Sequence, residues 1–129
     1  MANAASRVVQ KSTGHTSEGH ERWIDLVFLG RQTMGNKSLE IEILKLFRSQ
    51  LDIHLSQLAH LEDDTQLRVR LHTIKGAAHG VGAIEVGQLA AKAEKELLDT
   101  GHVQPSAMNR LRYAVQQTSD FIGELLTTK

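Results

Sequence analysis

The sequence predicts an all-α protein, an antiparallel four-helix bundle with an additional short N-terminal helix. Hydrophobic residues make up 40% of the 129 residues but aromatic residues only 4%, so aliphatic side chains must form the core, as suits packed helices. The chain has one proline and shows no strand-like alternation of apolar and polar residues. Four long amphipathic segments are joined by short loops, which predicts that consecutive helices run antiparallel.

The N-terminal part divides into a tail and a short helix. Residues 1–20 are polar and lack an amphipathic stripe, so we interpret them as a flexible polar tail, with the bundle domain over residues 21–129. A short helix is expected over 21–33 and would cap one end of the bundle. Its apolar side is formed by Trp23, Ile24, Val27 and Phe28.

The next two helices follow a glycine break. The second helix is predicted to begin near Lys37, because Asn36 is a good N-cap, and to end near residue 62. The third is predicted over about 65–80, with Gly80-Val81-Gly82 as the turn. The residues expected in the core are Ile43, Leu44, Phe47, Leu51, Leu55 and Leu58 in the second helix, and Leu67, Leu71, Ile74, Ala78 and Val81 in the third.

The last two helices have clear boundary residues. The fourth is predicted over about 84–99, and Gly101 suits its C-terminal end. Pro105 suits the first turn of the fifth helix, which is expected to continue to about residue 127. The core positions are Val86, Leu89, Ala90, Ala93 and Leu97 in the fourth helix, and Met108, Leu111, Val115, Ile122 and Leu125 in the fifth.

Charge and cysteine content argue against several classes of protein. Fifteen Lys and Arg balance fifteen Asp and Glu, whereas binding to the phosphate backbone of nucleic acids needs a cationic surface. The absence of cysteine rules out disulfides and thiolate zinc sites. No apolar run approaches the ~20 residues of a membrane-spanning helix. We therefore expect a cytoplasmic protein without nucleic-acid or membrane partners, for which a monomer suffices.

One polar stripe lies beside the buried stripe of the third helix. Arg68, His72, Lys75 and His79 follow one another at helical spacing, so they share a face. Gly76 lies on the same side, where glycine costs roughly 1 kcal/mol relative to alanine in an exposed helix. Close approach of another molecule is a physical reason for such a glycine.

Helical arithmetic places a carboxylate level with His72. If the turn centres near Ala83, His72 lies eleven residues before it and Glu94 eleven after. Both helices rise by ~1.5 Å per residue, so the two side chains should meet across the groove. Glu94 could accept a hydrogen bond from imidazole Nδ1–H, which would leave Nε2 as a nucleophile. With Lys75 as a cation one turn away, this arrangement suits phosphoryl transfer. Glu94 could also pair with Arg68 or Lys95.

The run His72-Thr73-Ile74-Lys75-Gly76, followed by Gly82-Ala83, resembles the signature of histidine phosphotransfer (HPt) domains. The resemblance covers about residues 22–127. It implies that His72 is phosphorylated on Nε2, that Lys75 interacts with the phosphoryl group, that Gly76 gives steric access and that Glu94 binds the imidazole. The sequence departs from the commonest family pattern at Leu71, often alanine there, and at His79.

The same resemblance implies partners and the lack of a cofactor. HPt domains carry phosphoryl groups between aspartates on receiver domains of response regulators and hybrid sensor kinases. They have no kinase activity of their own and no cofactor, because the Mg²⁺ belongs to the partner receiver. A sensor kinase is excluded because the chain has no room for an ATP-binding domain, and Thr73 stands where such enzymes typically have an acidic residue.

Two other interpretations remain open at the level of sequence. The first is a metal site, which the presence of seven histidines suggests. The spacing argues against it, because His72 and His79 would lie roughly 10 Å apart along a helix, too far to share a metal ion. His54 and His60 are predicted to fall on different faces of the second helix. The other alternative is a helical-bundle adaptor that docks a signalling partner without being phosphorylated, in which His72 has no chemical role.

Overall fold

The computed structural model describes residues 22–60 and 63–128, and every regular element within them is an α-helix. The helices are α1 (Leu26–Gln32), α2 (Lys37–Leu58), α3 (Asp64–Val81), α4 (Ile84–Thr100) and α5 (Pro105–Thr128). Consecutive long helices pack side by side, and α5 returns to pack against α2. The predicted four-helix bundle with a short N-terminal helix is therefore confirmed. The predicted flexible tail, residues 1–20, lies outside the described residues.

Polar side chains begin three of the helices. Asp25, Asn36 and Asp63 each accept a hydrogen bond from the backbone N–H three residues further on, in α1, α2 and α3 respectively. Such caps satisfy backbone donors that have no partner inside the helix. At the other ends, Gly82 and Gly101 terminate α3 and α4 with φ of 83° and 76°. Only glycine adopts this left-handed conformation without steric cost.

The predicted helical stripes form the core. Each of the four long helices contributes fully buried aliphatic or aromatic side chains, and the remaining stripe positions pack partly buried at the margins. The buried members are Leu44, Phe47, Leu51, Leu58, Leu71, Ile74, Ala78, Val81, Val86, Ala90, Ala93, Leu97, Leu111, Val115 and Ile122. Because these stripes fix the rotation of each helix about its axis, they also fix which residues face the solvent.

The first helix differs from the prediction in its start and its buried side. Residues 22 and 23 are helical, residues 24 and 25 are not, and α1 begins only at Leu26. The helix is interrupted before Leu26 because the Asp25 carboxylate caps α1, while the backbone N–H of Asp25 donates to the carbonyl of Gly82 at 2.8 Å. The break shifts the helical phase, so Leu29 is buried and Val27 is 63% exposed. Asp25 and Phe28 nevertheless contact Gly82 in the α3–α4 turn, at one end of the bundle.

Two predicted boundaries around the long helices were wrong. Helix α2 ends at Leu58, earlier than expected, and Ala59 and His60 form a turn. Helix α3 continues through Val81, so Gly80 belongs to the last turn of the helix and the loop begins at Gly82. Gly82 suffices to end the helix because its left-handed backbone lets Ala83 N–H bond the carbonyl of Ala78 at 2.9 Å.

Candidate functional site

Helix α3 holds His72 out of the core. Its neighbours Leu71 and Ile74 are fully buried, which turns the face at position 72 toward solvent. The His72 side chain is 70% exposed. Leu71, where the sequence departs from the commonest pattern, thus acts as a core residue and anchors the helix beside the imidazole.

Glu94 of α4 contacts both His72 and Lys75. Its Oε2 lies 3.0 Å from Nδ1 of His72, and its Oε1 lies 2.7 Å from Nζ of Lys75. This contact confirms the predicted juxtaposition of Glu94 with His72. The two residues lie level because the left-handed turn at Gly82 joins two helices that have the same rise per residue. Of the alternative partners, Lys95 instead pairs with Asp99 at 2.8 Å. One carboxylate therefore binds the imidazole and the ammonium group together.

The electrostatics of Glu94 favour its charged form. The hydrogen bond from Lys75 is the main cause that lowers the pKa of Glu94, partial burial opposes this, and the bond with His72 lowers the pKa further. An ionised carboxylate only accepts hydrogen bonds, so the proton of a neutral His72 ring resides on Nδ1. The Nε2 atom is then the lone-pair nitrogen, and it has no hydrogen-bond partner among the described residues.

Two glycines leave part of the exposed side of α3 that carries His72 without side chains. Gly76 and Gly80 are exposed, and a Cβ atom built on either would meet nothing within 4 Å. Neither position needs glycine for internal packing or for a left-handed backbone. His79 lies further along, with its ring against Gly87 of α4, where an added Cβ would come within 2.9 Å of His79 Cδ2.

An open recess of about 340 Å³ borders His72 on the side facing the N-terminus of α3. It is lined by Arg68, Val69, His72, Thr73, Glu94 and Leu98. Val69 and Leu98 are 57% and 60% exposed. The surface next to the imidazole therefore combines apolar walls, a guanidinium group and the edge of the Glu94 carboxylate.

Sequence reasoning missed a second histidine contact. His54 is 5% exposed, and its Nδ1 lies 3.1 Å from Nη1 of Arg70 on α3. Because a guanidinium only donates, Nδ1 accepts, and burial followed by the charge of Arg70 lowers the pKa of His54. The signal was in the sequence, since position 54 falls at helical spacing between Leu51 and Leu58 on the buried stripe of α2.

Within residues 22–60 and 63–128, no group of three His, Cys, Asp or Glu side chains is arranged to hold a metal ion. His54 is buried in α2, whereas His60 is exposed in the turn that follows this helix, so the prediction that His60 lies on a face of α2 was wrong. His15 and His20 lie outside the described residues. None of the described helices combines the length and the apolar composition needed to cross a membrane.

A comparison with known protein families identifies the family of this chain. The model of the Hpt domain matches residues 42–121, which is more than half of the chain and includes α3, α4 and most of α5. No curated protein and no solved structure matches the chain. Domains of this family take part in histidine phosphotransfer in phosphorelays and interact with receiver domains. The matched region holds the whole cluster of His72, Lys75, Gly76 and Glu94, and this chain belongs to the Hpt domain family.

Proposed function

We propose that this chain accepts a phosphoryl group on Nε2 of His72 from the aspartyl phosphate of a receiver domain and passes it to another receiver domain. The observation that carries the proposal is the Glu94 carboxylate, which binds Nδ1 of His72 and Nζ of Lys75 at the same time. The donors and acceptors are receiver domains of response regulators and hybrid sensor kinases, in the cytoplasm. The chain itself is a carrier without kinase activity.

The transfer step follows from these contacts. The Nε2 lone pair attacks phosphorus, the Nε2–P bond forms, and the bond between phosphorus and the aspartyl oxygen breaks, so the aspartate leaves as a carboxylate. The Nδ1 proton stays in place, and the positive charge that develops on the ring lies 3.0 Å from Oε2 of Glu94. The return step reverses these bonds with a second receiver aspartate. The Mg²⁺ that this chemistry needs belongs to the receiver.

Access to His72 is the second requirement. The imidazole is largely exposed, and no side chain rises from Gly76 one turn further on. The active site of a receiver domain can therefore approach the imidazole without displacing a side chain at position 76 of α3. Lys75 lies beside His72 through their shared contact with Glu94, and its ammonium group can approach the phosphoryl oxygens during transfer.

The test is phosphotransfer from a panel of labelled, phosphorylated receiver domains to the wild-type protein, to His72→Gln and to His79→Gln. His79 is the matched control, because it is an exposed histidine on the same helix. We expect acid-labile, base-stable label on the wild type and on His79→Gln, and none on a folded His72→Gln variant. Label that persists on His72→Gln would move the site elsewhere. A folded wild type that no receiver labels would favour the unphosphorylated adaptor.

A further inference from the structure

Arg68 is a cation of the His72 face that the mechanism above does not use. It lies one helical turn before His72, and both residues line the recess between α3 and α4. The Arg68 side chain is exposed, and it forms no ion pair with any residue in the part of the chain that the structure describes. Its guanidinium group is therefore free to meet a ligand beside the imidazole.

Lys75, by contrast, is already paired. Its Nζ lies 2.7 Å from Oε1 of Glu94, and its side chain is only 28% exposed. Because Glu94 is held in its ionised form, the pair of Lys75 and Glu94 is electrically balanced. A phosphoryl group brings about −1.5 to −2 charges onto this surface. The cation at the recess that no described carboxylate compensates is Arg68.

The recess also suits an arginine that binds phosphoryl oxygens. A planar guanidinium donates two parallel hydrogen bonds to a phosphoryl group, which a lysine cannot reproduce. Val69 and Leu98 flank the recess as exposed apolar walls. When a partner covers them, water is removed from around the guanidinium and its attraction to a phosphoryl group becomes stronger.

We propose that Arg68 is a second cationic residue of the phosphotransfer site and donates hydrogen bonds to the oxygens of the phosphoryl group while it is bonded to Nε2 of His72. The assignment rests on the proposed function. Arg68 exchanges no proton, so the bond changes are those already described, with Nε2–P formed and the bond to the leaving group broken. Its role is to stabilise charge on the phosphoryl oxygens during transfer and afterwards on phosphohistidine.

The test uses a donor that needs no docking. Phosphoramidate transfers its phosphoryl group directly to an imidazole and releases ammonia, so its rate reports on the site without a receiver. We would measure this rate for the wild type, Arg68→Gln, Arg68→Lys and the control Arg110→Gln, which changes an exposed arginine of α5. We expect labelling of Arg68→Gln to slow by at least about fivefold, Arg68→Lys to recover part of the rate, and Arg110→Gln to match the wild type.

A second readout reports contact with the phosphoryl group itself. Titration of the phosphohistidine by ³¹P NMR should show a higher phosphoryl pKa in Arg68→Gln than in the wild type, because a nearby cation favours the dianion. A purely structural role for Arg68 would leave this titration unchanged.

The outcomes separate the two proposals. A wild type that neither phosphoramidate nor any receiver labels on His72 would overturn the proposed function, and the role of Arg68 would fall with it. If the wild type is labelled but Arg68→Gln matches it in rate and in ³¹P titration, only the role of Arg68 is overturned. A variant slowed with receivers alone, with an unchanged titration, would also overturn contact with the phosphoryl group and leave Arg68 as a docking residue.

Discussion

Oε2 of Glu94 lies 3.0 Å from Nδ1 of His72, across the groove between α3 and α4. This contact fixes the ring proton on Nδ1 and makes Nε2 the nucleophile. The same carboxylate holds Lys75 through its other oxygen, so one substitution at Glu94 changes both the imidazole and its neighbouring cation.

Replacing Glu94 should slow phosphorylation of His72. Glu94→Ala removes the acceptor for Nδ1–H, and we expect the rate with phosphoramidate to fall roughly tenfold, equivalent to about 1.4 kcal/mol of barrier. Glu94→Gln keeps an oxygen acceptor and should retain most of the rate. Glu124→Ala, at an exposed glutamate of α5, serves as the control. Equal rates for Glu94→Ala and the wild type would show that Nδ1 needs no carboxylate.

The lowered pKa of Glu94 also predicts a dependence of stability on acid. In the folded protein this carboxyl holds its proton less tightly than its ordinary pKa of 4.5 implies, mainly because of Lys75. Its contribution is therefore present above pH 4.5 and is lost as the pH falls through the lowered value. Urea denaturation at several acidic pH values should show the wild type losing its advantage over Glu94→Gln. A constant difference between the two would contradict the shift.

His54 predicts a second pH effect, in a higher range. Its pKa is lowered from 6.5 by burial and by Arg70, so between the lowered value and 6.5 the unfolded chain binds more protons than the folded one. The free energy of unfolding should then increase as the pH rises from the lowered pKa toward about 6.5, and this contribution should level off above about 6.5. Thermal melts from about pH 7.5 to about pH 5 should show this slope reduced in His54→Gln but not in His60→Gln, at an exposed position. Equal slopes would mean that His54 titrates normally.

Gly82 and Gly101 form a matched pair for the energetics of the helix ends. Both have a left-handed backbone, but a Cβ at Gly82 would lie 2.9 Å from Cδ2 of Phe28, whereas one at Gly101 meets nothing within 4 Å. Gly101→Ala should cost about 1–2 kcal/mol of stability from its backbone alone. Gly82→Ala should cost more, about 2–4 kcal/mol, because the contact with Phe28 is added. Chemical denaturation measures both values. Equal costs would show that the α1 contact yields freely.

Gly76 should separate stability from access. Gly76→Ala lies in a helix interior with open space, so it should stabilise the fold by up to about 1 kcal/mol. Gly76→Gln should slow transfer from receiver domains several-fold while leaving labelling by phosphoramidate nearly unchanged, because only the larger donor needs the space. Ser106→Gln, at an exposed site on α5, is the control. Unchanged receiver rates for Gly76→Gln would remove steric access as the reason for this glycine.

The sequence by itself determined the phases and core stripes of the four long helices, the exposure of His72 and its level position with Glu94. These follow from helical periodicity, in which residue spacing fixes both the direction and the height of a side chain. The tertiary structure alone decided that Glu94 binds His72 and Lys75 at once, and that His54 pairs with Arg70 across α2 and α3. It also moved the start of α1 to Leu26, through the bond from Asp25 N–H to Gly82. Spacing along one helix cannot supply these contacts, because each depends on how a neighbouring element is placed.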